Sequence, residues 1–131
     1  MKKGLFLLFF VILSVLISQT SLAQEDSTET NLYFFWAEGC PHCASEELFL
    51  DTLVEKYPKL NIHKLEVTGN KENAELLARF GKELNADVSG VPFTVIGDKY
   101  FVGWYNEETT GKSIEYEINK NTKIPPNKRH R

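Results

Sequence analysis

The sequence predicts an α/β fold, βαβαββα in order, with a four-stranded mixed sheet covered by helices. Three observations lead there. Short apolar runs alternate with stretches whose apolar residues recur at helical spacing. The first two strands flank a helix, which implies a parallel pair with a right-handed crossover. The last two strands are joined by Gly97-Asp98, a two-residue hairpin turn.

The first element to place lies before the fold. Lys2 and Lys3 precede Leu5–Ile17, a run that is apolar except for Ser14, and Ser21-Leu22-Ala23 follows with small residues at cleavage spacing. This is the pattern of a secretory signal peptide over residues 1–23, and the run is shorter than the roughly 20 apolar residues a membrane span needs. Its removal leaves about 108 residues of the 131, one domain's worth. With 42% hydrophobic and 12% aromatic residues, the chain can bury a core, which excludes global disorder.

Residues 24–30 read as a polar linker, and residues 31–120 as the folded domain. Asn31–Trp36 holds five consecutive apolar residues, as expected of a strand buried on both faces. Phe49, Leu53 and Tyr57, with Leu50 and Val54, repeat at four-residue intervals, so a helix follows Cys40 and ends by Pro58. Leu60–Val67 is a second strand whose apolar parity changes between Ile62 and Leu65, requiring a bulge or burial on both faces. Asn70 caps a helix with Leu77, Phe80 and Leu84 on one stripe. Asn85–Gly90 is a loop, and Phe93–Ile96 and Tyr100–Tyr105 form the hairpin. Asn106 caps a last helix that turns Ile114 and Ile118 inward. Residues 121–131 read as a basic flexible tail.

Charge narrows the class of partner. Loss of Lys2 and Lys3 takes the net charge from −3 to −5, with 13 basic residues against 18 acidic. Such a domain is a poor candidate for nucleic-acid binding. The two cysteines rule out both a multi-disulfide scaffold and a four-cysteine zinc site.

Those cysteines carry the chemistry. Cys40-Pro41-His42-Cys43 stands where a strand becomes a helix. Pro41 suits the first helical position, where its missing N–H costs nothing. Cys40 then meets the unpaired N–H groups and positive dipole end of the helix, which favour its thiolate. His42 adds a cationic or hydrogen-bonding neighbour. Cys43, one turn on, can close a reversible disulfide. A static disulfide is the plainer reading, but so short a loop constrains the unfolded chain little. Half of a zinc site is another; His42, His63 and His130 are the only histidines, and none shows ligand spacing. A redox pair is the favoured reading. Pro92 opens a strand; about 95% of X–Pro bonds in folded proteins are trans, and the residues alone leave its isomer open.

The segment Phe35-Trp36-Ala37-Glu38-Gly39-Cys40-Pro41-His42-Cys43 resembles the active-site segment of thioredoxins, usually Phe-Trp-Ala-Glu-Trp-Cys-Gly-Pro-Cys. Gly90-Val91-Pro92-Phe93-Thr94 resembles that family's cis-proline loop, and His63-Lys64-Leu65 a strand segment whose lysine lies behind the active site. The resemblance spans residues 31–119. It implies a thioredoxin-like fold, Cys40 as the attacking cysteine, Cys43 as the resolving one, and Pro92 in cis beside the substrate. It also implies Trp36, Gly39, Pro41 and Val91 as the substrate-binding surface, with no cofactor and no metal. His42 between the cysteines is similar to the periplasmic oxidant DsbA. Gly39 departs from the family's tryptophan, Phe34 stands in place of its buried acid, and Lys64 is left as a plain surface lysine. The chain has room only for a minimal glutaredoxin-like core.

These features predict an exported thiol–disulfide oxidoreductase, periplasmic or extracellular. It would be monomeric, acting on protein thiols and disulfides and reset by a redox partner, with membrane contact only through the leader. Reductase or oxidase direction stays open. The alternative is a non-catalytic carrier holding Cu(I) on Cys40, Cys43 and His42, since soft thiolates select that ion.

Overall fold

The computed structural model describes residues 29–123, so the expected leader and most of the linker and basic tail lie outside the described residues. β1 (Thr30–Trp36) lies inside the sheet, and the other strands are assembled around it. α1 (Pro41–Lys56) crosses to β2 (Leu60–Glu66), which pairs parallel to β1 from Thr30↔Leu60 to Trp36↔Glu66. α2 (Lys71–Leu84) leads to β3 (Phe93–Ile96), which runs antiparallel on the other side of β1 with Leu32 opposite Ile96 and Phe35 opposite Phe93. β4 (Lys99–Val102) completes the order β2-β1-β3-β4, and a π-helical turn (Glu107–Gly111) runs into α3 (Lys112–Lys123).

Alternate residues of the strands feed two cores, one on each face of the sheet. Leu32 and Phe34 of β1 and Ile96 of β3 pack with Leu50 and Leu53 of α1 and Ile114 and Ile118 of α3. Phe35, Phe93 and Val95 pack on the other face with Leu77 of α2, flanked by Phe80 and Leu84. The parity change in β2 needs no bulge, because its register with β1 is unbroken. Ile62 joins the first core and Leu65 the second.

Polar caps set the helix boundaries. The Asn70 Oδ1 accepts from the Asn73 N–H at 3.1 Å, and Asn85 ends α2 in the left-handed region at φ 49°. Asn106 caps as expected, accepting from the Thr109 N–H at 2.9 Å, but the turn it opens is π-helical. Gly111 is needed there: a Cβ would stand 3.0 Å from the Phe49 ring.

Four expectations need correction. β1 begins at Thr30, which is buried, so the linker stops at Glu29. β4 ends at Val102 instead of Tyr105, because Gly103 turns the chain at φ 76°. That turn carries Trp104 into the core, its ring 5.2 Å from that of Phe49. α3 continues past residue 120, with Asn121 buried against Gly97 at the hairpin turn. Val54 is on the outer side of α1, 47% exposed, although Leu50, four residues earlier, is buried. Among the described residues, no helix is long and apolar enough to cross a membrane.

Candidate functional site

The site forms where β1 hands over to α1, because the residues between them allow a sharp reversal. Gly39 takes a left-handed φ of 75°, which a side chain would resist. Cys40 then occupies the N-cap in an extended conformation, and Pro41 opens the helix. In place of the usual capping oxygen, the Cys40 Sγ accepts the Cys43 N–H at 3.1 Å. This donor, with the helix N-terminus, lowers the cost of negative charge on that sulfur once the site is reduced.

Cys40 and Cys43 are joined as a disulfide with their Cα atoms 5.2 Å apart. The two sulfurs are unequally placed. Cys43 is 2% exposed and belongs to the core of the α1 face, whereas Cys40 is half-buried. Cys40 opens onto a groove of about 320 Å³ lined by Trp36, Gly39, Pro41, Cys43, Ala44 and Glu47, among others. Across from it the Val91 carbonyl oxygen lies 4.0 Å from the Cys40 Sγ. The Val91–Pro92 bond is cis, the isomer the resemblance implies. The Pro92 carbonyl accepts the Gly103 N–H at 2.8 Å, which ties this loop to the end of β4. A larger groove of about 810 Å³ between β4 and α3 contains neither cysteine nor histidine.

The structure therefore brings Trp36, Gly39, Cys40, Pro41 and Cys43 around one groove and sets Val91 and Pro92 beside Cys40. His42 lies in the first turn of α1 with its side chain exposed. Lys64 is not a plain surface lysine. Its Nζ is held by Glu47 at 3.0 Å and Asp51 at 2.7 Å, both on α1. Partial burial works to lower its pKa, but hydrogen bonds to the two carboxylates outweigh this and raise it.

One residue of the site region escapes the sequence reading. Glu46 lies on α1 one turn beyond Cys43 and is 1% exposed. The Thr94 hydroxyl of β3 donates to its carboxylate. Burial raises its pKa from 4.5 to about 7, although the Thr94 hydrogen bond pulls the other way. The sequence does contain a clue. Cys43, Glu46, Leu50 and Leu53 follow the 3, 4, 3 spacing of an inward stripe, and all four are buried. Among the described residues, no group of three or more His, Cys, Asp or Glu side chains is gathered as a metal ion would require.

No known protein-family profile matches the chain, and no curated protein sequence does. Solved structures do match, each with probability 1.00. The oxidised mitochondrial thioredoxin 3 of Saccharomyces cerevisiae superposes with a TM-score of 0.51 at 21% identity, over 70% of this chain and 78% of that one. The fold is thioredoxin-like. A thioredoxin-like protein of Clostridium perfringens matches with a TM-score of 0.54 at 21% identity, over 78% of this chain and 79% of that one. A Chlorobium tepidum protein described as the thiol:disulfide interchange protein DsbE matches at 0.52 with 14% identity, over 73% of this chain and 82% of its own. On this thioredoxin-like scaffold, the Cys40–Cys43 pair occupies the strand-to-helix junction.

Proposed function

We propose that the chain is an exported thiol–disulfide oxidoreductase that exchanges disulfides with protein substrates through Cys40 and Cys43. The observation that carries this reading is the inequality of the two sulfurs. Cys40 caps a helix at the edge of a groove, and Cys43 is shut in the core behind it. In the reducing direction, the Cys40 thiolate attacks a substrate disulfide and one substrate thiolate leaves. Cys43 then attacks the Cys40 sulfur of the mixed disulfide, and the second substrate thiolate leaves as the Cys40–Cys43 bond forms. In the oxidising direction, a substrate thiolate attacks Cys40 of the closed pair, and Cys43 leaves. The burial of Cys43 supports Cys40 as the sulfur a substrate meets first.

Trp36, Gly39, Pro41 and Val91 would supply the surface on which an extended substrate segment lies, with Pro92 next to Val91 beside Cys40. His42, exposed beside the pair, would stabilise the Cys40 thiolate and so the reduced form, which makes the pair more oxidising. Export rests on the leader-like residues 1–23, and a separate redox partner would reset a monomeric protein. A Cys40→Ser variant should lose both insulin-disulfide reduction and dithiol oxidation, and full retention of either activity refutes the reading. The potential of the pair in a glutathione series decides the direction: about −270 mV marks a reductant and about −120 mV an oxidant.

A further inference from the structure

β4 is the outermost strand on its side of the sheet, and its outer edge is open. The Gly103 N–H, just past β4, bonds inward to the Pro92 carbonyl. Inward and outward groups alternate along an antiparallel strand, so Tyr100 and Val102 turn their N–H and C=O groups away from β3. Among the described residues no strand pairs with that side. An open strand edge attracts other extended chains, and folded proteins commonly cover it. α3 does not. Its Ile114 and Ile118 pack on Leu32 of β1 and Ile96 of β3, nearer the middle of the sheet. Between α3 and β4 this leaves the groove of about 810 Å³, lined by the half-buried Phe101 and the exposed Val102 and Tyr116.

We propose that residues 124–131 of this same chain fill that groove, running back along the edge of β4 as an extended strap. Lys123 closes α3, and Asn121 lies against the Gly97 turn from which β4 starts. The other end of α3 follows Gly111, which stands beside Trp104, just past the end of β4. Helix and strand are therefore antiparallel, and a chain leaving Lys123 meets the groove at its Lys99 end. The length fits. The helix from Glu108 to Lys123 is about 22 Å long at about 1.5 Å per residue. Eight residues in polyproline II conformation, at about 3.1 Å each, span about 25 Å.

The composition of the segment matches the groove in the same order. Pro125-Pro126 favours an extended conformation and cannot continue α3. Proline-rich segments dock in aromatic-lined grooves, and Phe101 and Tyr116 supply such a lining. Proline carbonyls can accept from the outward N–H groups of Tyr100 and Val102, and proline leaves no N–H of its own unpaired. Lys128, Arg129 and Arg131 come next in the sequence. They reach the far end of the groove, where Glu107 and Glu108 open the π-helical turn. Glu108 pairs with Lys112, but Glu107 has no ion-pair partner among the described residues. The basic end of the segment thus meets the acidic end of the groove, which fixes the direction of the strap. The strap closes the sheet edge from within the chain and does not depend on the chemistry of Cys40 and Cys43.

The test is NMR of the full chain beside a chain stopped after Lys123. In the full chain the Tyr116 ring should show nuclear Overhauser contacts to Pro125 or Pro126. The Tyr100 and Val102 amides should exchange with solvent at least tenfold more slowly than in the shortened chain. The amides of Phe101 and Gly103, which face inward, should be unchanged. Lys128→Glu combined with Arg129→Glu in the full chain should remove most of the difference, as should about 0.5 M salt. This variant decides the matter if the shortened chain does not fold. Equal exchange of Tyr100 and Val102 in the two chains, with no contact from Tyr116 to either proline, overturns the proposal. Protection that grows with protein concentration and survives the shortening also overturns it, because a second copy then occupies the edge.

Discussion

Replacing Glu46 by glutamine should change how folding stability depends on pH, in a direction opposite to that of an ordinary salt-bridged acid. The carboxyl is 1% exposed, and burial raises its pKa from 4.5 to about 7. A raised pKa means that the folded protein binds the proton more tightly than the unfolded chain. The contribution is therefore fully present below about pH 4.5 and is lost as pH rises through about 7, after which it stays constant. At about 1.4 kcal/mol per pH unit, the interval corresponds to about 3 kcal/mol. Urea unfolding of the oxidised protein measures it cleanly, because Cys43 is locked in the disulfide and does not titrate. The wild type should lose about 3 kcal/mol more than Glu46→Gln between pH 4.5 and pH 8. Parallel curves for the two proteins would refute the claim that this carboxyl is ionised at the expense of the fold.

Two further substitutions check the packing. Leu50→Ala removes a fully buried side chain between α1 and the sheet, and it should cost about 2–5 kcal/mol in urea unfolding. Gly81→Ala would ordinarily gain stability inside a helix such as α2, but here the new Cβ would meet Val88 Cγ1 at 2.8 Å and the Ala86 carbonyl oxygen at 3.2 Å. Thermal unfolding should therefore show a lower Tm, with a loss of about 1–3 kcal/mol.

How much of this was legible beforehand differs from residue to residue. The cysteine pair and its helix were plain, because Pro41 and the four-residue apolar spacing act locally. The parity change in β2 could be read as two-sided burial, since a strand flanked by helices on both faces permits it. Glu46 was hidden for a physical reason. A glutamate in a helix is ordinarily solvated, and what buries this one is a strand whose Thr94 lies 48 residues away. Lys64 was misjudged for the same reason: its partners, Glu47 and Asp51, are on the helix that packs over it. The early end of β4 depends on the left-handed Gly103, whose turn is rewarded only because Trp104 finds a place beside Phe49.

The fold also separates the reactive end from the chain's own exits. Thr30 starts β1 with its N–H on the Lys59 carbonyl at 2.9 Å, at the end of the sheet where α1 finishes. Asn121, near the close of α3, rests on the Gly97 turn at that same end. Cys40 is ten residues downstream of Thr30, past the strand's opposite tip at Trp36. Thr30 and Asn121 thus both lie at the pole remote from the cysteines. The cysteine pair and the two ends of the described chain therefore occupy opposite ends of the sheet.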